Sequence, residues 1–236
     1  MKGKGRKIKK TVTKLKHPLP SYRLSFEKHF EIIKAYVTAS KEGNEPVSWT
    51  SFEGLVSFSP SYVSANNKFL EDLGLIKEAE NQPGKYIPTE PAINFSKTIE
   101  WDEEQAKNIL RGLILKSWFW EATDQLLKVR NKVSKDDLIK KLGVDAGADR
   151  ERHYPSLNVI VEYLKYVGLV EEQNGTITYG KFRPSKAPTL KIVAPEKKDM
   201  IQIALGDDLY AIDIEELKSF LREKGKKLDK NIYRIE

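Results

Sequence analysis

A helix followed by a short hairpin is encoded twice in this chain, and this duplication constrains the fold more than any other feature. The first copy, residues 59–86, reads SPSYVSANNKFLEDLGLIKEAENQPGKY, and the second copy occupies residues 154–179. The segments FLEDLGLIKE and YLKYVGLVEE keep the same order of apolar, polar and glycine positions. A unit that recurs within one chain indicates a structural module used twice.

The first copy predicts a helix, a glycine stop and two antiparallel strands. Ser59 suits a helix N-cap and Pro60 suits the first helical turn, because the N–H that proline lacks has no helical partner there. We therefore predict one helix over residues 60–73 that ends at Gly74. The turn Gln82-Pro83-Gly84 then joins two short strands.

The second copy predicts the same elements. Its helix is expected over residues 156–166 and ends before Gly168, and Asn174-Gly175 predicts a tight two-residue turn because both residues tolerate a positive φ. Residues 143–153, which precede this helix, are glycine-containing and polar. We predict a long turn there.

This order of elements resembles the recognition helix and wing of winged helix-turn-helix domains, as found in many prokaryotic transcription regulators. The resemblance covers roughly residues 25–182 and implies DNA binding. We expect an α+β fold, mainly helical, with a flexible basic arm (1–20), two winged-helix domains in tandem (21–98 and 99–186) and a small C-terminal ββα(β) element (187–236).

The remaining elements are predicted from caps and apolar spacing. Ser25 is expected to cap the first helix, Ser48 or Thr50 a second, and Asp102 one long helix from Glu103 to about Arg130. Residues 90–100 are expected to be a linker, and Ser134 to open a helix that ends at Gly143. The run Trp118-Phe119-Trp120 is interpreted as packing between the modules, with a ligand pocket or a homodimer contact as the alternatives. In the C-terminal element we predict strands over 200–205, 209–212 and 231–235, with a helix capped by Asp213 between the last two.

Positive charge is concentrated at the N-terminus. The whole chain has a net charge of +7, and residues 1–17 alone contain eight basic and no acidic residues. Like charges repel, so we expect this arm to be disordered in the free protein and to lie along nucleic-acid phosphates. Its basic residues are Lys2, Lys4, Arg6, Lys7, Lys9, Lys10, Lys14 and Lys16.

The predicted DNA-contacting residues of the folded body lie on the two recognition helices and beside the second one. Polar and basic side chains can contact base edges and phosphates. On the two helices we expect contacts from Ser61, Tyr62, Ser64, Asn67, Lys68, Ser156, Asn158 and Lys165. The phosphate contacts are predicted for Lys135, Lys140, Arg150 and Arg152.

Several classes of function find no support in the sequence. The chain has no cysteine, so disulfides and cysteine-ligated metals are excluded. No phosphate-binding loop, dinucleotide fingerprint, zinc-protease motif or nucleophile elbow occurs, so we expect no cofactor and no catalysis. His29 is predicted to be an ordinary surface or half-buried histidine. We expect no membrane span and a cytoplasmic location, at the nucleoid if the protein binds DNA.

The leading hypothesis is a double-stranded-DNA-binding protein, either a transcriptional regulator or a chromosome-associated factor. The alternative is a protein-interaction scaffold whose folded core does not bind DNA, and the acidic balance of residues 18–98 favours it. RNA binding through the arm is a third possibility.

Overall fold

The computed structural model describes residues 15–182 in full and, further on, the backbone of residues 200–205, 208–213, 218–219, 225–228 and 232–235. The predicted arm residues 1–14 lie outside the described residues. The chain divides into two compact units at Arg183–Pro184. The fold is α+β and mainly helical, as predicted.

The first module of the larger unit has a two-stranded sheet with one added bridge. Strand β1 pairs with β2 in antiparallel fashion, and Val47 forms a further bridge to Tyr86 of β2 through two backbone hydrogen bonds of 2.8 and 3.0 Å. The helices and strands are α1 (Phe26–Ala39), a 3₁₀ helix (Trp49–Phe52), α2 (Ser61–Ser64), α3 (Asn67–Asp72), β1 (Ile76–Glu78), β2 (Tyr86–Pro88) and α4 (Glu90–Thr98).

The second module repeats this arrangement with a complete third strand. Its elements are α5 (Glu103–Ile114), α6 (Trp118–Arg130), β3 (Lys132–Ser134), α7 (Lys135–Ala146), α8 (Arg150–Tyr166), β4 (Val170–Gln173) and β5 (Thr176–Tyr179). The sheet order β3-β5-β4 matches the order Val47-β2-β1 of the first module. Asn174 and Gly175 have φ angles of 49° and 74°, which confirms the predicted tight turn.

The C-terminal unit contains two antiparallel hairpins. Strand β6 (Met200–Leu205) pairs with β7 (Asp208–Asp213), and β8 (Gly225–Leu228) pairs with β9 (Ile232–Ile235). The first hairpin and the closing strand were predicted, whereas β8 was not. The helix predicted after Asp213 falls mostly outside the described residues, of which 218–219 are helical.

The helix predicted over residues 60–73 is wrong as a single element, because it breaks at Ala65-Asn66 into α2 and α3. The buried Asn66 side chain donates to the Tyr62 carbonyl (3.0 Å) and accepts from the Ser21 N–H (2.8 Å). Asparagine side chains that bond to nearby backbone groups compete with helical pairing. Gly74 still ends the segment with a φ of 80°, as predicted.

Three other predictions of secondary structure are wrong. The long helix over 103–130 breaks at residues 115–117, where the Ser117 hydroxyl accepts from the Trp120 N–H (3.2 Å) and starts a new helix. The predicted linker 90–100 is mostly α4, with Pro91 in its first turn. The second helix of the first module is only the four-residue 3₁₀ turn, followed by Gly54 with a φ of 77°.

The two modules share one hydrophobic core, and rings from α1 and α8 join them. The Phe26 ring lies 4.8 Å from the Tyr163 ring in an edge-to-face arrangement, and Phe30 lies 5.0 Å from Tyr166. Phe69 of α3 extends the cluster to Tyr163 (5.4 Å). Aromatic pairs of this kind add to the stabilisation from burial alone. The two modules are therefore packed as one body.

His29 lies inside this cluster, which corrects the prediction of a surface or half-buried histidine. It is fully buried, and its Nδ1 lies 2.9 Å from the Tyr163 hydroxyl, while Nε2 has no hydrogen-bond partner among the described residues. Burial lowers the pKa of His29 from 6.5 to about 4. The imidazole is therefore neutral at neutral pH.

We expect His29 to make stability fall as the pH falls from about 7 to about 4. Over this range the unfolded state binds a proton that the folded state does not bind. The expected loss between pH 7 and pH 5 is about 2 kcal/mol in the free energy of unfolding. Urea unfolding at both pH values checks it. The variant His29→Asn keeps a polar group near Tyr163 but does not titrate. Its free energy of unfolding should therefore fall much less over the same change in pH. An equal loss in both proteins would exclude His29 as the cause.

Candidate nucleic-acid interface

The N-terminus of α8 is presented by a compact turn, not by the long loop predicted over residues 143–153. Helix α7 continues to Ala146, and only Gly147, Ala148 and Asp149 separate it from α8. Gly147 adopts a φ of 65°, and the Asp149 carboxylate accepts from the Arg152 N–H (2.9 Å). A glycine stop followed two residues later by a capping aspartate is a signal that sequence reasoning overlooked.

Helix α8 therefore begins six residues before the predicted start, and Pro155 lies within it. The missing proline N–H leaves the Glu151 carbonyl without its helical donor. Glu151 is exposed, so water can take that place.

Residues 15–24, which we call the strap, lie against both modules. The prediction of a flexible arm over residues 1–20 is therefore wrong for residues 15–20. The Lys16 N–H donates to the Ala146 carbonyl (2.9 Å) beside the α7–α8 turn, and His17 stacks on Trp118 at 4.7 Å with an interplanar angle of 11°. The Ser21 N–H bonds to Asn66 of the first module, and Leu24 is buried.

Three of the predicted phosphate-contacting side chains are exposed and unpaired. Lys16, Arg150 and Arg152 form no ion pair with any residue in the described range 15–182. The Lys16 backbone is bonded to Ala146, which lies only four residues before Arg150. The strap thus brings the base of the arm next to the basic start of α8.

Other predicted contacts are already held by carboxylates. Lys135 lies 3.3 Å from Glu172 and 3.5 Å from Glu162, and Lys165 lies 2.8 Å from the same Glu172. The hydrogen bond from Lys165 is the main reason why the pKa of Glu172 is below its ordinary value. Lys140 lies 3.3 Å from Asp137. These lysines neutralise acidic side chains of the same module, so they are less available to contact phosphate.

Beyond its first turns, α8 offers little surface to DNA. Ser156, a predicted contact, is 6% exposed, and Tyr163 is completely buried against the first module. Asn158 is half-buried, and the Tyr154 hydroxyl donates to Asp136 (2.9 Å). The fully exposed side chains of α8 are those of residues 150–152 and Pro155, whereas Glu162, Lys165 and Tyr166 further along are half-buried.

The corresponding surface of the first module is not basic. Ser61 and Ser64 are exposed and Tyr62 is half-buried, but Asn67 is buried and accepts a hydrogen bond from Tyr36 (2.8 Å), which corrects its predicted exposure. Lys68 is exposed and is paired with Glu71 and Glu78.

Apolar side chains are exposed near that surface. Trp49 is 39% exposed and Leu55 is 41% exposed, and residues 42–67 contain no lysine or arginine. This region is better suited to an apolar contact than to phosphate.

Residues 15–182 contain no group of three or more His, Cys, Asp or Glu arranged to hold a metal ion. Among the described helices, none combines the length and the apolar character needed to cross a bilayer. Comparison with family models, curated proteins and solved structures gives no match to this chain.

The strap is expected to contribute measurably to stability. Replacing His17 with alanine removes its stacking on Trp118 and should lower the free energy of unfolding by about 1 kcal/mol. Urea unfolding monitored by tryptophan fluorescence measures this change. Tyr22→Ala is the matched control, because Tyr22 is 54% exposed and its ring contacts no other ring in the described residues. Equal effects of the two substitutions would contradict the role of the strap.

Proposed function

We propose that the protein binds double-stranded DNA through its basic arm, the strap and the N-terminal half of α8, and that its two modules are winged helices. The observation that carries this proposal is the hydrogen bond between Lys16 and Ala146, because it joins the base of the arm to the α7–α8 turn. One polyanion can then contact the arm and α8 together.

The order of elements supports a winged-helix assignment for the second module. Helix α6, strand β3, helices α7 and α8 and the β4–β5 hairpin follow one another, and β3 pairs with β5. On this assignment α8, which follows a three-residue turn, is the proposed recognition helix, and Asn174-Gly175 is the proposed tip of the wing. The first module is a reduced version, because its second helix is one 3₁₀ turn and its recognition helix is broken.

The distribution of charge supports a restricted contact surface. Residues 15–182 contain 22 basic and 24 acidic residues, so the folded body carries no general attraction for DNA. Residues 1–14 add seven basic residues and no acid. Backbone N–H groups at the start of α8 and the helix dipole also favour phosphate. Affinity thus comes mainly from the arm, and orientation from Arg150 and Arg152.

A second candidate function is protein docking by the first module. The exposed Trp49 and Leu55, in a segment without basic residues, favour this function for that module alone. The two functions are compatible, because they use different modules.

Removing residues 1–14 should reduce the salt dependence of DNA binding. Each phosphate contact contributes about 0.9 to the slope of log K against log salt, so the loss of seven contacts lowers the slope by about 6. Titration of a random duplex at several salt concentrations measures it. A full-length variant with the seven basic residues changed to glutamine should behave like the truncation. An unchanged slope would contradict the role of the arm, and tighter binding to structured RNA would contradict the choice of DNA.

The double variant Arg150→Gln/Arg152→Gln should weaken binding to all duplex sequences and lower the salt slope by about 2. The matched control is Lys77→Gln/Lys85→Gln, which removes two exposed lysines of the first module that form no ion pair with described residues. The same titration measures both variants. If the control weakens binding as much as the α8 variant does, the assignment of the contact to the second module is wrong.

A further inference from the structure

A small cavity lies at the opposite end of α8 from the proposed DNA contact. Its volume is about 240 Å³, and it lies between α5, the end of α8 and the residues that follow β5. The Gly180 N–H donates to Leu169 (2.9 Å) and the Phe182 N–H to Gly168 (3.2 Å), so the chain after β5 forms one wall.

A buried arginine and two aromatic rings shape this cavity. Arg111 is 9% exposed, and its Nε donates to the Val167 carbonyl (2.7 Å). Its guanidinium lies 3.5 Å from the centre of the Phe182 ring, which supports it from one side. Tyr166 provides a second ring in the lining, with Lys107 above it at 5.0 Å.

Most charges around the cavity are paired, but two of opposite sign are not. Lys107 pairs with Glu103 and Arg111 with Glu104. Lys181, by contrast, lies 4.7 Å from the centre of the Phe182 ring and forms no ion pair with a described residue. Glu171, which also lines the cavity, forms no ion pair or side-chain hydrogen bond with a described residue.

We propose that this cavity binds a free α-amino acid with an apolar side chain. Its carboxylate would meet Lys181 and the remaining N–H groups of Arg111, which form charge-assisted hydrogen bonds. Its ammonium would meet Glu171, and its side chain would lie against Tyr166 and Phe182. The volume admits only a small molecule, since cavities for drug-sized ligands are larger. An anion alone would leave Glu171 without a partner, and a cation alone would leave Lys181 without one.

The cavity is independent of the proposed DNA contact. Helix α8 has 17 residues, so at about 1.5 Å per residue its two ends lie about 25 Å apart. Binding of an amino acid can therefore be measured on the intact chain without DNA, and failure of either proposal leaves the other standing.

Thermal unfolding of the intact protein with about 10 mM L-leucine, L-phenylalanine or L-methionine provides the first test. At least one of them should raise the midpoint, and calorimetry then gives its Kd. Lys181→Gln and Glu171→Gln should each raise that Kd roughly tenfold or more, because each removes one charge-assisted contact. Both positions are exposed, so the variants should fold like the wild type.

Lys85→Gln and Glu80→Gln are the controls, since they remove one charge of each sign at exposed positions of the first module. They should leave the Kd unchanged. Replacing L-leucine with 4-methylpentanoate, which lacks the ammonium, should abolish binding. The proposal is overturned if no amino acid shifts the midpoint, if the control variants weaken binding equally, or if 4-methylpentanoate or inorganic phosphate binds as well as the amino acid.

Discussion

The packing of Tyr163 against the first module is the contact on which the rest of the structure depends. Its ring meets Phe26 and Phe69, and its hydroxyl meets His29, all from the first module. A hydrogen bond between two buried polar groups is costly to break, because each loses its partner in a site that water does not reach. This contact joins the two modules into one unit and buries the second half of α8.

The burial of Tyr163 against the first module limits which part of α8 can contact DNA. A helix that packs on the first module from Ser156 onward can present only its first turns to DNA. The compact turn at Gly147, the cap at Asp149 and the strap all meet at that end. Lys16, Arg150 and Arg152, which form no ion pair with a described residue, lie there too, whereas Lys135, Lys140 and Lys165 are paired with acids. Packing and charge pairing thus restrict the proposed DNA surface to one small region.

The strap fixes the place on the protein surface from which the basic arm begins. A fully free arm would contact phosphates independently of the folded body. Its contribution to the binding free energy would then simply add to the contributions of the other contacts. Because Lys16 and His17 are fixed against the second module, and Ser21 against the first, the arm starts from a defined place on the surface. A polyanion held by the arm is then close to α8, which raises its effective concentration there.

Local sequence signals determined the duplicated modules, the hairpin turn at Asn174-Gly175 and the caps at Asp102 and Ser134, because each depends on a few neighbouring residues. The break at Asn66, the burial of His29 and the pairing of Lys135 were beyond such reasoning. Each of the buried or paired groups depends on a partner distant in the chain, such as Ser21 for Asn66 and Tyr163 for His29. The tertiary structure likewise decides which basic residues have an acidic partner. Charge pairing depends on distance in space and not on separation along the chain.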